Sequence, residues 1–276
     1  MPRAKALAMT KIMQTIKIQC PAKINLNLKI TGKLPNGFHE IESIMQTISL
    51  YDYLTINIED NEQNEIILSG NRLEIPYDES NLVFKAAKLF LETAGIKNKK
   101  IDIYIEKNIP VAAGLAGGST DAAGTFYGLN KIFKILDEKN IDELCSLLGS
   151  DLNVCLHGGR ILAKGRGEII TPLEFEDFNV SLIKPINLGI SAKEAYTKYS
   201  QKEKSNHNYE NDLEWAIIDD YKELQHIKQK YPDSIMTGSG STYFMIDGNF
   251  ENSDGYWVKN NLHAIKQGVQ IVQAEE

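Results

Sequence analysis

Pro110-Val111-Ala112-Ala113-Gly114-Leu115-Ala116-Gly117-Gly118-Ser119-Thr120-Asp121-Ala122-Ala123 is the stretch on which the reading of this chain turns. Ile101, Ile103 and Ile105 alternate with polar residues just before it, which is the period of a strand. A helix is expected to leave it and run to about residue 135. In such a loop the glycines let backbone N–H groups approach an anion closely, and the helix that follows adds its unpaired N–H groups and positive end. Ser119 and Thr120 contribute hydroxyls. The loop has the composition and placement of a phosphate cradle. It is neither GxxxxGK[ST], since no Lys follows the glycines, nor GxGxxG. The same residues also suit a small-residue loop that lets a helix pack tightly on a strand, and the loop alone does not choose between the two.

Three further segments carry polar groups that could act with it. In Pro21-Ala22-Lys23-Ile24-Asn25-Leu26-Asn27-Leu28, period two places Lys23, Asn25 and Asn27 on one strand face and the aliphatics on the other. That polar face is either a pocket wall for phosphate or hydroxyl groups, or the wet face of an antiparallel sheet. In Leu148-Gly149-Ser150-Asp151-Leu152, Asp151 stands at a helix start. It is either a partner of the helix dipole or a carboxylate held ionised there to accept a proton from an alcohol. Thr237-Gly238-Ser239-Gly240-Ser241-Thr242 lies between two strands, as a plain hairpin turn or as a loop that closes over phosphate.

The chain has 276 residues, 42% hydrophobic, and a net charge of −7. That length holds two domains or one large one and buries a core without staples. Disorder, a collagen repeat and a disulfide scaffold are poor readings. The negative balance argues against a surface that coats nucleic acid, yet a local pocket of opposite sign still accommodates an anionic small molecule. Cys20, Cys145 and Cys155 are odd in number and form no CxxC, which fits a reducing compartment. No apolar run is long enough for a transmembrane helix. Arg3, Lys5 and Lys11 flank only Ala6-Leu7-Ala8-Met9, too short for a signal-peptide core. Residues 1–13 are expected to be a disordered extension with no role in the fold, an organelle transit peptide being the other reading. The five histidines show no metal-ligand spacing, and no G-x-S-x-G elbow occurs.

The patterning predicts α+β rather than a regular βαβ array. Two short strands are expected around Pro21, and two more near 41–50 and 53–59. A helix capped by Asn81 should run to Gly95. A capping-box start at Asn140 and Glu143 should open a helix over 141–148, and Ser150 another short one. Strands near 159–164 and 179–184, a helix from Ser191, helices over roughly 208–230, strands within 234–247, and a last helix and strand complete the expectation. The best boundary falls at Thr171-Pro172 to Asp177, where acids and a proline interrupt the apolar pattern.

Taken together, Pro21–Leu26, 110–123 and Thr237–Gly240 resemble, in order, the three motifs of the GHMP kinase superfamily. Gly37-Phe38-His39-Glu40 and Leu148–Asp151 narrow the resemblance to the branch that acts on a cytidine-diphosphate sugar alcohol, over the chain from about residue 16. The resemblance implies a two-lobed GHMP kinase fold, an N-terminal α+β lobe over 1–172 and a ferredoxin-like C-terminal lobe over 173–276, with the active site between them. It implies ATP-dependent phosphorylation of the 2-hydroxyl of 4-diphosphocytidyl-2-C-methyl-D-erythritol, a step in non-mevalonate isoprenoid biosynthesis. The enzyme would be cytoplasmic in a bacterium, a plastid being less favoured. It would use ATP and Mg²⁺, act on a small molecule, and engage neither nucleic acid nor membrane.

By the same resemblance, Pro110, Val111, Ala112, Ala113, Gly114, Leu115, Ala116, Gly117, Gly118, Ser119 and Thr120 wrap the ATP phosphates. Asp151 is the catalytic base, and Lys23 approaches both the base and the reacting hydroxyl. Phe38 and Tyr196 sandwich the cytosine, His39 hydrogen-bonds it, and Asn25 contacts the erythritol part. Ala112, Ala113 and Ala116 stand where some relatives have glycine, and alanine suits those positions if φ is negative. The metal ligands are unassigned, with Asp121, Ser119 and Thr120 near in sequence. Two other readings stay open. A homoserine or phosphomevalonate type of kinase would need no aromatic slot of Phe38, His39 and Tyr196. A non-catalytic nucleotide-binding module would need neither Lys23 nor Asp151.

Overall fold

The computed structural model describes residues 14–203 and 205–275, so the extension expected over 1–13 lies outside the described residues. In chain order the first half runs β1 Gln14–Asn25, β2 Lys29–Lys33, β3 His39–Asp60, β4 Glu65–Gly70, α1 Leu82–Ala94, β5 Lys99–Glu106, α2 Gly117–Phe133, α3 Glu138–Leu148 and α4 Leu152–His157. It continues with β6 Arg160–Gly165, β7 Ile169–Pro172, β8 Asn179–Pro185, α5 Ala192–Gln201, α6 Asp212–Ile217, α7 Lys222–Lys230, β9 Ile235–Met236, β10 Tyr243–Ile246, β11 Tyr256–His263 and β12 Gln270–Glu275. The architecture is α+β, on two sheets.

The larger sheet has eight strands, with the path β12-β1-β3-β5-β4, β2 and β6 on the far part of β3, and β7 on β6. All its pairs are antiparallel except β4 with β5. Ile18, Leu54, Ile56, Ile101 and Ile103 present one face of this sheet to Phe90 of α1 and Phe126 of α2. That alternation of apolar residues is what places the two helices on the sheet. Gly124 lets α2 lie close, because a Cβ there would come within 2.4 Å of Cys20 Sγ. The smaller sheet, in the order β11-β8-β10-β9, is antiparallel throughout. Ile183, Trp215, Ile217, Leu224 and Tyr243 form its core with α5–α7.

Local signals produced the elements they should. Asn81 Oδ1 accepts from Val83 N at 2.9 Å, and Gly95 closes α1 in the left-handed region at φ 65°. Ser191 Oγ accepts from Glu194 N at 3.1 Å at the start of α5. Elsewhere the expectation needs correction. β1 is one strand, not two: Pro21 sits at a register shift between Pro21 and Ala22 against β3, where a bulge tolerates its missing N–H. β3 is likewise one strand of 22 residues. α3 opens earlier, capped by Asp137, whose Oδ1 accepts from Asn140 N at 2.8 Å. β4 and β7 were not anticipated. The last helix is absent among the described residues. Tyr256-Trp257-Val258 instead leads a strand paired with β8, as β-formers with a free partner edge do.

Candidate active site

β1 and the loop between β5 and α2 meet at the backbone, where Lys23 N donates to the Leu115 carbonyl at 3.2 Å. The polar face of β1 is therefore not wet: Lys23 and Asn25 are buried. A buried ammonium needs acceptors, and Lys23 Nζ has three. It donates to Asn25 Oδ1 at 2.6 Å and to the Gly114 carbonyl at 3.1 Å, and lies 3.3 Å from Asp151 Oδ2. Asn25 is oriented for this by donating its own amide to Ser43 Oγ at 2.8 Å. Asn27, expected on the same face, leaves the row and accepts from Ile44 N at 2.7 Å.

Asp151 occupies the residue before α4 but makes no side-chain cap bond to that helix. Its carboxylate is turned to Lys23 instead, with 29% of its side chain exposed. The close contact of this carboxylate is thus with the ammonium and not with the N–H groups of the helix it precedes. Both groups open onto a cavity of about 1160 Å³. The same cavity is lined by residues 110 to 119, by Phe38, His39 and Tyr196, and by Gly238 and Ser239. Thr120 is the exception in the loop: it is fully buried and turned inward. The third motif reaches the site because Gly114 lets it. A Cβ on Gly114 (φ 75°) would come within 2.1 Å of the Thr237 carbonyl.

Two alanines correct the expectation about the loop. Ala112 and Ala116 have φ of 50° and 59°, in the left-handed region that disfavours a Cβ. The chain accepts that cost in order to keep the loop's course.

At the other end of the cavity, Tyr196 stacks on His39, with ring centroids 5.1 Å apart and planes 17° apart. Burial pushes the Tyr196 phenol well up, with Asp151 adding to it. Ser200 Oγ lies 2.9 Å from His39 Nε2. Phe38 is exposed, with the Arg166 guanidinium 5.5 Å from its ring centroid. Arg166 lines the cavity and was missed from the sequence. Its only signal is a cation between Gly165 and Gly167 after a strand.

A second missed group lies beneath the loop. Lys107 bridges two buried carboxylates, bonding Asp52 Oδ2 and, at 2.7 Å, Asp121 Oδ2. Asp52 Oδ1 also accepts from Asn108 N at 2.6 Å and Ile109 N at 2.8 Å, fixing the chain where it enters the loop. Burial, with Asp52 adding and Lys107 opposing, pushes the Asp121 carboxyl up to about 7. Its Oδ1 has no hydrogen-bond partner.

Residues 81–159 match the GHMP kinases N terminal domain. A solved 4-(cytidine 5'-diphospho)-2C-methyl-D-erythritol kinase superposes with a TM-score of 0.71 at 25% identity, covering 90% of this chain and 99% of that one. A homoserine kinase from Cytophaga hutchinsonii superposes almost as well, at 0.70, with 16% identity over 94% of this chain and 97% of that one. Shape therefore gives the fold and does not separate these kinases. Sequence does. The 4-diphosphocytidyl-2-C-methyl-D-erythritol kinase of Clostridium tetani is 41% identical over 83% of this chain and 90% of its own length. That of Prochlorococcus marinus subsp. pastoris is 42% identical over 86% and 88%. Identity of that order along nearly the whole length of both chains, with the Lys23–Asp151 contact set beside the glycine loop, places this chain in the 4-diphosphocytidyl-2-C-methyl-D-erythritol kinase family of the GHMP kinases.

Proposed function

We propose that this protein transfers the γ-phosphoryl group of ATP to the 2-hydroxyl of 4-diphosphocytidyl-2-C-methyl-D-erythritol. The observation that carries the proposal is the meeting of Lys23 Nζ and Asp151 Oδ2 at 3.3 Å, on the wall of the cavity that the glycine loop also lines. Asp151 accepts the proton of the attacking hydroxyl. Lys23 lies against the same carboxylate and stabilises the oxygen as it gains charge. The loop from Pro110 to Thr120, leading into the 17-residue α2, suits a triphosphate, because unpaired N–H groups at a helix start favour anions. Gly117 lets the start of α2 sit close on the buried Lys107, since a Cβ there would approach Lys107 Nζ to 2.7 Å and Ile109 Cγ2 to 3.1 Å.

The ATP phosphates would bring Mg²⁺ with them, and it would withdraw charge from the transferred group. Of the three residues near in sequence, Ser119 lines the cavity and would hold the ion beside the phosphates, whereas Thr120 is buried and Asp121 is engaged by Lys107. Phe38, His39, Tyr196 and Arg166 take the cytidine end, where stacking faces and donors suit a pyrimidine. Asn25, beside Lys23, takes the erythritol part. A division into two lobes at 171–177 is supported by the passage from Pro172 in the larger sheet to Asn179 in the smaller one, with the correction that β12, expected in the second lobe over 173–276, returns to the larger sheet beside β1. No helix among the described residues is long and apolar enough to cross a membrane. The three cysteines are buried and unpaired, which suits the reducing compartment of a cytoplasmic enzyme.

A coupled ADP-release assay with ATP and the cytidyl substrate tests the reading. ADP formed with that substrate and not with homoserine or phosphomevalonate is expected. ADP formed with homoserine alone would overturn it, as would ATP binding without turnover on any alcohol.

A further inference from the structure

We propose that Asn211 is a positioning residue for phosphoryl transfer: its buried amide holds the Thr237–Gly240 turn on the glycine loop and so keeps Lys23 at its distance from Asp151. The inference rests on the kinase reading above and concerns a residue no motif pointed to.

Asn211 precedes α6 and is fully buried. Its Oδ1 caps the helix, accepting from Leu213 N at 2.9 Å. Capping a six-residue helix needs no more than that oxygen, and Asp, Ser or Thr would supply one equally well. The amide nitrogen does something else. It donates to the carbonyls of Met236 at 2.7 Å and Gly238 at 2.8 Å, the two residues flanking Thr237. Asparagine alone among the good capping residues offers one acceptor and two donors. Its backbone neighbours are tied down as well: Leu28 N donates to the Glu210 carbonyl and Asp212 N to the Leu28 carbonyl, both at 2.9 Å. The amide is thus anchored to the segment that follows β1 while it grips the turn.

The grip matters because of what Thr237 touches. Its Oγ1 accepts from Asn25 N at 2.9 Å and lies 3.4 Å from Asn25 Oδ1 and 3.3 Å from the Gly114 carbonyl. Those last two oxygens are the same two that accept from Lys23 Nζ. Moving the turn therefore moves two of the three groups that fix the ammonium beside Asp151. A helix cap alone has no such connection.

Asn211→Asp separates the roles, since it keeps the cap oxygen and removes both donors. In the ADP-release assay, wild-type turnover is measured first, and its absence would refute the kinase reading rather than this inference. With an active wild type, Asn211→Asp is expected to lower kcat about tenfold to a hundredfold, as small misplacements of catalytic groups do. KM for each substrate should stay within about threefold. Leu224→Ala, a core cavity in α7 that removes no hydrogen bond from the turn, serves as the control: it should lower Tm and leave kcat within about twofold. Thr237→Val added to Asn211→Asp should lower kcat little further, because both act through one contact. A folded Asn211→Asp with wild-type kcat overturns the proposal, as does a kcat loss that Leu224→Ala reproduces, or additive losses in the double variant. If Asn211→Asp does not fold, Asn211→Ser, which also caps, is read in the same way.

Discussion

Lys23 and Asp151 show how a single charge pair is made usable. The ammonium is almost wholly buried and saturated by three oxygens, whereas the carboxylate keeps an open side to the cavity. The cation is therefore held still, while the carboxylate proposed as the base keeps a face that an incoming hydroxyl can reach. Asp151→Asn should cut kcat by about 10²–10⁴-fold, the range for loss of a general base, while calorimetry shows ATP binding unchanged. Near-wild-type kcat would remove Asp151 from the mechanism. Ala116 makes a different point. At φ 59° its Cβ strains the backbone, and Ala116→Gly should raise stability by about 1 kcal/mol, seen as a higher Tm in scanning calorimetry. A fall in Tm would mean that the alanine methyl contributes more by packing than its conformation costs.

At the level of elements, the Asp52–Lys107–Asp121 cluster joins strand β3, the end of β5 and helix α2 under the glycine loop. Two buried acids share one cation. Burial alone would pull the Lys107 ammonium down, but the two carboxylates together push it up. Lys107→Met would leave both acids without it, a loss of about 3–5 kcal/mol by analogy with broken buried pairs. Asp121 is predicted to make stability depend on pH. Its folded pKa of about 7 lies above the ordinary carboxylate value of 3.8. The folded protein therefore takes up a proton near neutrality that the unfolded chain takes up only in acid. The contribution is full at low pH and is lost as pH rises through about 7. Asp121→Asn carries no titrating group, so its Tm should vary less than wild type between about pH 6 and pH 8. Equal slopes for the two proteins would refute the assignment. Nearby Cys20 does not compete, because burial, with Asp121 and Asp52 adding, pushes its thiol well above the usual range.

Over the whole molecule, the site exists because remote segments touch. Gly114 and Thr237 are 123 residues apart and meet at a backbone contact that leaves no room for a side chain. Gly114→Ala should force them apart and lower kcat at least about tenfold with little loss of helix signal in circular dichroism. Retained activity would show that the contact is dispensable. β12 is a second long-range link: it returns to pair with β1 in the larger sheet. The helix caps at Asn81 and Ser191 could be read along the chain, because each is a local property set by a residue's own donors and acceptors. Lys23 and Asp151 stand out only through the resemblance of the segments, in order, to a kinase family, since each alone also suits a wet strand face or a helix start. The burial of Lys23 and Asn25 could not be read along the chain, because alternation marks a face as polar without saying what will cover it. Nor could the single strand through Pro21, the strand at Tyr256, or the grip of Asn211 on a turn 25 residues away. Those outcomes depend on which partner the folded chain brings opposite each residue, and buried polar groups take the bonds that packing places within reach.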